Sequence, residues 1–117
     1  MVRARAVAAA GFAALGLVFA PLGQALADQA ASPPTAGDPG KGKALFASAM
    51  CGSCHVLADA GAAGQIGPSL DHDANLDTAL VVSRVTNGQS SMPPFGDQFS
   101  EQEIADIAAY VVKAAAK

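Results

Sequence analysis

The chain has 117 residues, with 7 Lys and Arg against 10 Asp and Glu, two cysteines and two histidines. This length allows one domain and leaves no room for a two-domain enzyme. A formal charge of −3 without a Lys/Arg cluster argues against a nucleic-acid partner, because phosphate binding needs a concentrated basic surface. The hydrophobic content of 51% is high for a soluble chain, and much of it lies at the front.

The first 27 residues have the pattern of an export signal. Arg3 and Arg5 precede an apolar run over residues 6–23, and Ala25-Leu26-Ala27 is a small-residue cleavage site. The alternative is an uncleaved membrane anchor, because a run of this length approaches a membrane span. A proline and three glycines in the run favour cleavage. We therefore predict a cleaved signal peptide over residues 1–27, a periplasmic location and no membrane span in the mature chain.

The mature chain is acidic and poor in large side chains. Cleavage leaves five basic side chains against ten acidic ones, a net charge of −5. Residues 28–37 are small and polar with a Pro-Pro pair, which predicts a flexible linker before a domain over residues 38–117. The mature chain keeps only four aromatic residues, Phe46, Phe95, Phe99 and Tyr110. So few large side chains cannot fill the interior of the domain. This suggests that a group other than side chains occupies part of it.

Three helices are predicted in chain order. Asp38, followed by proline, is an N-cap for a helix that runs towards Met50. A second helix is predicted over residues 76–87 and is ended by a glycine. Ser100 and Glu103 form a capping box for the third. We find no repeat and no strand pattern, so the sequence predicts an all-α fold whose long loops wrap around something.

The chemistry of the chain is concentrated in Cys51-Gly52-Ser53-Cys54-His55. Both cysteines lie here, and one of the two histidines follows directly. Thiols about one helical turn apart can each add to one vinyl group of a haem, and the next residue can present an imidazole to the iron. The C-x-x-C-H pattern is therefore a strong signal for covalent haem attachment. Export is consistent with this, because such attachment takes place outside the cytoplasm.

Three other interpretations of the cysteine pair compete. A dithiol redox motif normally follows a strand in a βαβ unit, and no such pattern is present. A zinc site needs a second ligand pair, and His72 alone does not supply one. A structural disulfide suits an exported protein but leaves His55 unexplained.

The second axial position of a haem iron has two candidate residues. Met50 adjoins the attachment motif and cannot reach across the ring, which leaves Met92 and His72. Met92 begins a segment stiffened by Pro93 and Pro94, which suits a fixed ligand, although a lone methionine can also serve as core filler. His72 lies between two aspartates in a polar loop and is expected to be a solvated surface residue.

The chain from residue 38 to residue 117 resembles the small monohaem class I c-type cytochromes. The resemblance is carried by Gly42-Lys43-Ala44-Leu45-Phe46, Cys51-Gly52-Ser53-Cys54-His55, Gly67-Pro68-Ser69-Leu70, Met92-Pro93-Pro94-Phe95 and Ile107-Ala108-Ala109-Tyr110. It implies a cytochrome c-like fold of three or more helices around one covalent haem c. It also implies that Gly42 and Phe46 meet Ile107 and Tyr110, and that the Pro68 carbonyl accepts the second N–H of the axial histidine.

The function implied is electron transport. Ligation by His55 and Met92 leaves no open iron site and raises the reduction potential, so the protein is expected to be a periplasmic one-electron carrier and not an enzyme. Its partners would be a redox donor and a redox acceptor that dock briefly at the haem edge, and we expect a monomer. One alternative is a dedicated haem subunit of a periplasmic dehydrogenase. Another is a gas-binding or peroxidatic haem protein, if Met92 is labile.

Overall fold

Over the described residues the fold is all-α, as predicted, with three α-helices. A computed structural model describes residues 35–117, so the predicted signal peptide and most of the predicted linker lie outside the described residues. The helices are α1 (Pro39–Ser48), α2 (Thr78–Asn87) and α3 (Glu101–Ala115). Helix α3 packs against both α1 and α2 and contributes most of the buried apolar side chains. None of the helices within residues 35–117 is long and apolar enough to cross a membrane.

The two helix starts with the strongest sequence signals are confirmed. The Asp38 carboxylate accepts hydrogen bonds from the backbone N–H groups of Gly40 at 2.8 Å and Lys41 at 3.1 Å. At the start of α3, Ser100 N–H donates to the Glu103 carboxylate at 2.8 Å, and Glu103 N–H donates to Ser100 Oγ at 3.2 Å. Each bond satisfies a backbone donor that the helix itself leaves without a partner.

Helix α2 starts two residues later than predicted. Leu76 N–H donates to the Asp73 carbonyl at 3.1 Å, in a turn that precedes the helix. Asp77 then acts as the N-cap, because its carboxylate accepts from Leu80 N–H at 2.7 Å. A side-chain cap of this kind outcompetes the apolar periodicity that starts at Leu76. The predicted end is correct, with Gly88 at φ 69° directly after the helix.

A short hairpin corrects the expectation that no strand is present. Strands β1 (Val56–Leu57) and β2 (Ala62–Ala63) pair antiparallel, with Val56 opposite Ala63 and Leu57 opposite Ala62. Two residues are too few to produce a visible alternation of apolar and polar side chains. The hairpin follows the cysteine motif directly and buries Leu57 completely.

Helices α1 and α3 cross with their backbones in close contact. Gly42 lies against α3 where a β-carbon would overlap the Asp106 carbonyl and approach Tyr110 Cβ. One turn later, Phe46 meets Tyr110 edge-on, with ring centroids 5.7 Å apart and planes at 69°. Ile107 is buried in the same core. The predicted meeting of the two helices is therefore present.

A buried carboxylate secures the start of α1 to α3. Asp106 is 3% exposed, and its Oδ1 accepts from Asp38 N–H at 2.7 Å and from Gln102 Nε2 at 3.0 Å. The bond from Asp38 lowers the pKa of Asp106, because it favours the charged form. Residues 35–37, at the end of the predicted linker, also lie on α3, where Thr35 N–H donates to Gln102 Oε1 at 2.7 Å.

Candidate haem-binding site

The cysteine motif forms a rigid turn directly after α1. Met50 lies two residues beyond the end of α1 in the left-handed region at φ 57°, a conformation that costs a residue with a β-carbon about 1–2 kcal/mol. Its carbonyl accepts from Ser53 N–H at 3.0 Å and from Ser53 Oγ at 2.7 Å. The Cys51 carbonyl accepts from the N–H groups of Cys54 and His55, at 3.2 and 3.0 Å. The two thiols and the imidazole are thereby carried by one hydrogen-bonded unit.

The two cysteines of that unit form no disulfide and are only partly exposed. Burial raises the pKa of the Cys51 thiol above its ordinary value, because the charged thiolate is poorly solvated there. Cys51 also packs against the hydrophobic core. The thiols are therefore held at the boundary between core and solvent, where a planar apolar group attached to them could be buried on one side.

The His55 ring is oriented by a backbone carbonyl, as the resemblance implied. Its Nδ1 lies 2.8 Å from the Pro68 oxygen. A carbonyl oxygen can only accept, so Nδ1 must donate, and Nε2 of the neutral ring keeps its lone pair. A hydrogen bond of this kind fixes the ring and its tautomer for metal ligation.

The loop that carries Pro68 is itself attached to the motif. Gly67 N–H donates to the Cys54 carbonyl at 2.8 Å, and Gly64 N–H donates to the His55 carbonyl at 3.2 Å. A β-carbon on Gly67 would come within 2.6 Å of the His55 ring. Glycine is therefore required for the loop to lie this close to the imidazole.

Met92 lies in a loop that is closed by its own hydrogen bonds. Gln89 and Met92 exchange two backbone bonds, at 3.0 and 2.9 Å. Phe95 N–H donates to the Val85 carbonyl at 2.9 Å, which attaches the loop to the last turn of α2. The half-buried Met92 side chain packs against the same core as Cys51. The loop therefore holds the backbone of Met92 in a fixed position.

His72 is exposed, in agreement with its prediction as a surface residue. Its backbone N–H donates to the Ala115 carbonyl at 2.9 Å, and its φ is 57°. The neighbouring Asp71 carboxylate accepts from Ala58 N–H at 3.0 Å. This loop is thus attached to the fold through its backbone and Asp71, while the imidazole points into solvent.

Sequence reasoning missed a polar cluster around Asp59. The Asp59 carboxylate accepts from Tyr110 Oη at 2.9 Å, and it pairs with Lys43 at 3.1 Å and Lys117 at 2.6 Å. The hydrogen bonds from Lys117, Tyr110 and Lys43 hold the pKa of Asp59 far below its usual range. Burial and the bond to Asp59 raise the pKa of Tyr110 to about 12. No local pattern marks Asp59, because its partners come from both ends of the domain.

The described residues fit a covalent haem. Two cysteine side chains that could attach to the ring and an imidazole with an available Nε2 that could hold the iron suit a c-type haem, and Met92 offers a thioether on a hydrogen-bonded loop. The close approach of Gly67 restricts the His55 ring to one orientation, which suits a metal ligand. Bound haem supplies an iron that alternates between the ferrous and ferric states.

Known proteins are similar to this chain in sequence. The family described as cytochrome C oxidase, cbb3-type, subunit III, matches residues 37–111. Cytochrome c6 of Gloeothece citriformis is 39% identical over 89 residues, which cover 74% of this chain and 80% of that protein. Cytochrome c6 of Limnospira maxima is 36% identical over 92 residues, covering 69% of this chain and 98% of that protein.

Solved structures agree with the sequence relatives. The c-type cytochrome SorU from Sinorhizobium meliloti superposes with a TM-score of 0.60 at 36% identity, covering 66% of this chain and 90% of that one. Cytochrome c6 from the diatom Phaeodactylum tricornutum gives a TM-score of 0.56 at 38% identity, covering 68% and 95%. The chain belongs to the small class I c-type cytochromes. It carries one covalently attached haem c and acts as a one-electron carrier.

Proposed function

We propose that the mature chain is a periplasmic electron carrier with His/Met ligation and no catalytic activity of its own. In this proposal residues 1–27 are removed on export, residues 28–37 lead into the fold, and residues 38–117 form the haem domain. Cys51 and Cys54 form the thioethers. The observation that carries the proposal is the 2.8 Å bond from His55 Nδ1 to the Pro68 carbonyl, which leaves Nε2 for the iron.

Each axial residue has a separate task. The Pro68 carbonyl and Gly67 hold the His55 ring in one orientation, which keeps the ligand bond constant during electron transfer. Met92 would hold the iron from its hydrogen-bonded loop, and its thioether would favour ferrous iron. A second protein ligand of this kind would keep substrates from the iron, which favours a carrier over a gas-binding or peroxidatic role.

The setting proposed is that of a diffusing carrier. The relatives named cytochrome c6 support transfer between a redox donor and a redox acceptor. Such carriers need brief encounters, which suits a monomer with a small interface. The predicted export signal supports a periplasmic location.

Carbon monoxide binding tests the axial set. Ferrous wild-type protein should not bind carbon monoxide near neutral pH, because Met92 holds the sixth position. Met92→Ala should bind it stoichiometrically and show a lower reduction potential. Met50→Ala is the matched control, since it removes an exposed thioether, and His72→Ala removes the other candidate ligand; both should behave as wild type. Rapid stoichiometric binding by the wild-type protein would overturn the carrier proposal in favour of the gas-binding class.

Mass spectrometry of the exported protein tests the cofactor and the processing together. We expect one species that starts at Asp28 and carries one haem, and acidified acetone should not extract that haem. The double variant Cys51→Ala/Cys54→Ala should carry no covalent haem. A retained N-terminal segment would instead support the membrane anchor, and haem released by acetone would contradict thioether attachment.

A further inference from the structure

Four side chains of the predicted mature chain contain sulfur, and they differ in exposure. The chain has three methionines and two cysteines, of which Met1 belongs to the predicted signal peptide. Met50 is 69% exposed, whereas Cys51, Cys54 and Met92 are partly buried. Met50 also lines an open cleft of about 350 Å³, which is large enough to admit a small reagent. A reagent in solution therefore reaches the Met50 thioether more readily than the other three sulfur atoms.

The backbone of Met50 is fixed by hydrogen bonds to both of its polar groups. The Met50 carbonyl accepts from Ser53 N–H at 3.0 Å and from Ser53 Oγ at 2.7 Å. The Met50 N–H donates to the Ala47 carbonyl at 3.1 Å. These bonds hold the residue at φ 57°, a value that is disfavoured for a residue with a β-carbon. The thioether therefore stays in contact with solvent because the turn that carries it is fixed.

Met92 lies in the opposite environment. Its side chain packs against the hydrophobic core, and two backbone bonds to Gln89, at 3.0 and 2.9 Å, close its loop. Oxidation of methionine adds a polar oxygen to the sulfur. At Met92 that oxygen would lie against apolar side chains, where an acceptor without a partner is unfavourable. At Met50 water would solvate it, so the fold tolerates the change there.

We propose that Met50 is a site of reversible oxidation. Oxygen-atom donors such as hypochlorous acid or hydrogen peroxide convert its thioether to the sulfoxide, and Met92 keeps its thioether under the same exposure. With hypochlorous acid, Met50 Sδ gains the oxygen atom and loses two electrons, the chlorine leaves as chloride, and the proton passes to water. Methionine sulfoxide reductases reverse the oxidation.

The selectivity protects the proposed iron ligand when the oxidant is limited. Two thioethers then compete for the same reagent, and the exposed one consumes most of it. The importance of sparing Met92 rests on the proposed carrier function, whereas the selectivity itself follows from exposure and packing.

Peptide mass mapping of the ferric holoprotein tests the selectivity. The protein is treated with one equivalent of hypochlorous acid and cleaved after Arg84, which places Met50 and Met92 on different peptides. Fragmentation then distinguishes Met50 from the neighbouring cysteines. We expect Met50 to carry several-fold more added oxygen than Met92, and methionine sulfoxide reductases should remove it. Equal oxidation of the two methionines, or an oxygen that the reductases do not remove, would overturn the proposal.

Two variants test whether exposure is the cause. In Met50→Leu the same dose should oxidise Met92 several-fold more than in the wild-type protein, because the competing thioether is gone. Ile66 is 72% exposed, so Met50→Leu/Ile66→Met places a thioether at a second exposed position. Oxidation should return at position 66, and Met92 should again be spared. Unchanged oxidation of Met92 in Met50→Leu, or no oxidation at position 66 in the double variant, would contradict the proposal.

Carbon monoxide binding keeps this proposal separate from the carrier function. Wild-type protein oxidised at Met50 should still not bind carbon monoxide after reduction, because Met92 is intact. Equal oxidation of Met50 and Met92 in a protein that did not bind carbon monoxide before treatment would refute the oxidation site and leave the carrier function standing. Carbon monoxide binding by untreated protein whose Met50 is selectively oxidised would instead refute the carrier function and support the oxidation site.

Discussion

Gly42 of α1 lies so close to the Asp106 carbonyl of α3 that a β-carbon would overlap it. The two backbones therefore meet directly at this position. The same segment of α3 binds the start of α1 through the Asp106 carboxylate and packs Tyr110 edge-on against Phe46. The position of α1 matters for the haem site, because α1 leads into the cysteine motif through Met50.

The first prediction concerns this crossing. Gly42→Ala should destabilise the protein by about 3 kcal/mol, because the clash is with backbone that cannot move aside. Gly40→Ala is a matched control in the same helix, where the nearest atom to a β-carbon is the Asp38 carboxylate at 3.1 Å. It should stay within about 1 kcal/mol of wild type. Urea unfolding measures the stability of both variants. If Gly42→Ala is as stable as the wild-type protein, α1 and α3 can move apart at this position without cost.

The second prediction concerns the aromatic contact behind the motif. Phe46→Ala should cost about 3–5 kcal/mol, because Phe46 is 3% exposed and leaves a cavity against Tyr110. Met50→Ala, which truncates an exposed side chain four residues later, should stay within about 0.5 kcal/mol. Thermal unfolding of the two variants distinguishes them. A loss below about 1 kcal/mol in Phe46→Ala would place this ring outside the core.

The third prediction concerns the orientation of the His55 ring. Gly67→Ala should push the ring away from the Pro68 carbonyl and lower the haem content of purified protein by about tenfold, as for other residues that orient metal ligands. Gly61→Ala serves as the control, because its φ of 62° adds strain while no atom lies within 4 Å of the new methyl group. Absorbance per polypeptide gives the haem content. A normal haem content in Gly67→Ala would contradict this role for the loop.

The fourth prediction concerns alkaline stability. The folded state raises the pKa of Tyr110 to about 12, so the neutral phenol is favoured in the fold. The resulting stability is complete below the ordinary tyrosine pKa near 10 and is lost as the pH rises from there to about 12. Between these limits the wild-type protein should lose on the order of 1–3 kcal/mol more than Tyr110→Phe, since one pKa unit is worth about 1.4 kcal/mol.

Urea midpoints of the two proteins, measured at several pH values, test this difference. Tyr110→Phe lacks the titrating group, so its stability should depend less on pH above about 10. Other groups that titrate in this range, such as lysines, are common to both proteins and cancel in the comparison. Identical pH profiles would show that the Tyr110 hydroxyl does not contribute to the pH dependence of stability.

The sequence alone was sufficient for three features that depend on neighbours within a few residues and carry a strong pattern. The cysteine motif, the Asp38 cap and the Ser100–Glu103 box are local, because their hydrogen bonds span two to four positions. The role of Pro68 came from the family resemblance, since spacing alone does not bring it to His55. The exposed position of His72 followed from the polar residues beside it.

The tertiary structure decided what depends on residues far apart in the chain. Tyr110 reaches Asp59 across 51 positions, and Asp106 reaches Asp38 across 68. The start of α2 at Thr78 and the β1–β2 hairpin depended on competing caps and pairings whose local signals are weak. Helix caps and turns are selected by short-range hydrogen bonding, which sequence reveals where one pattern has no close competitor. Buried polar partners are selected by packing, which brings distant residues together only once the chain has folded.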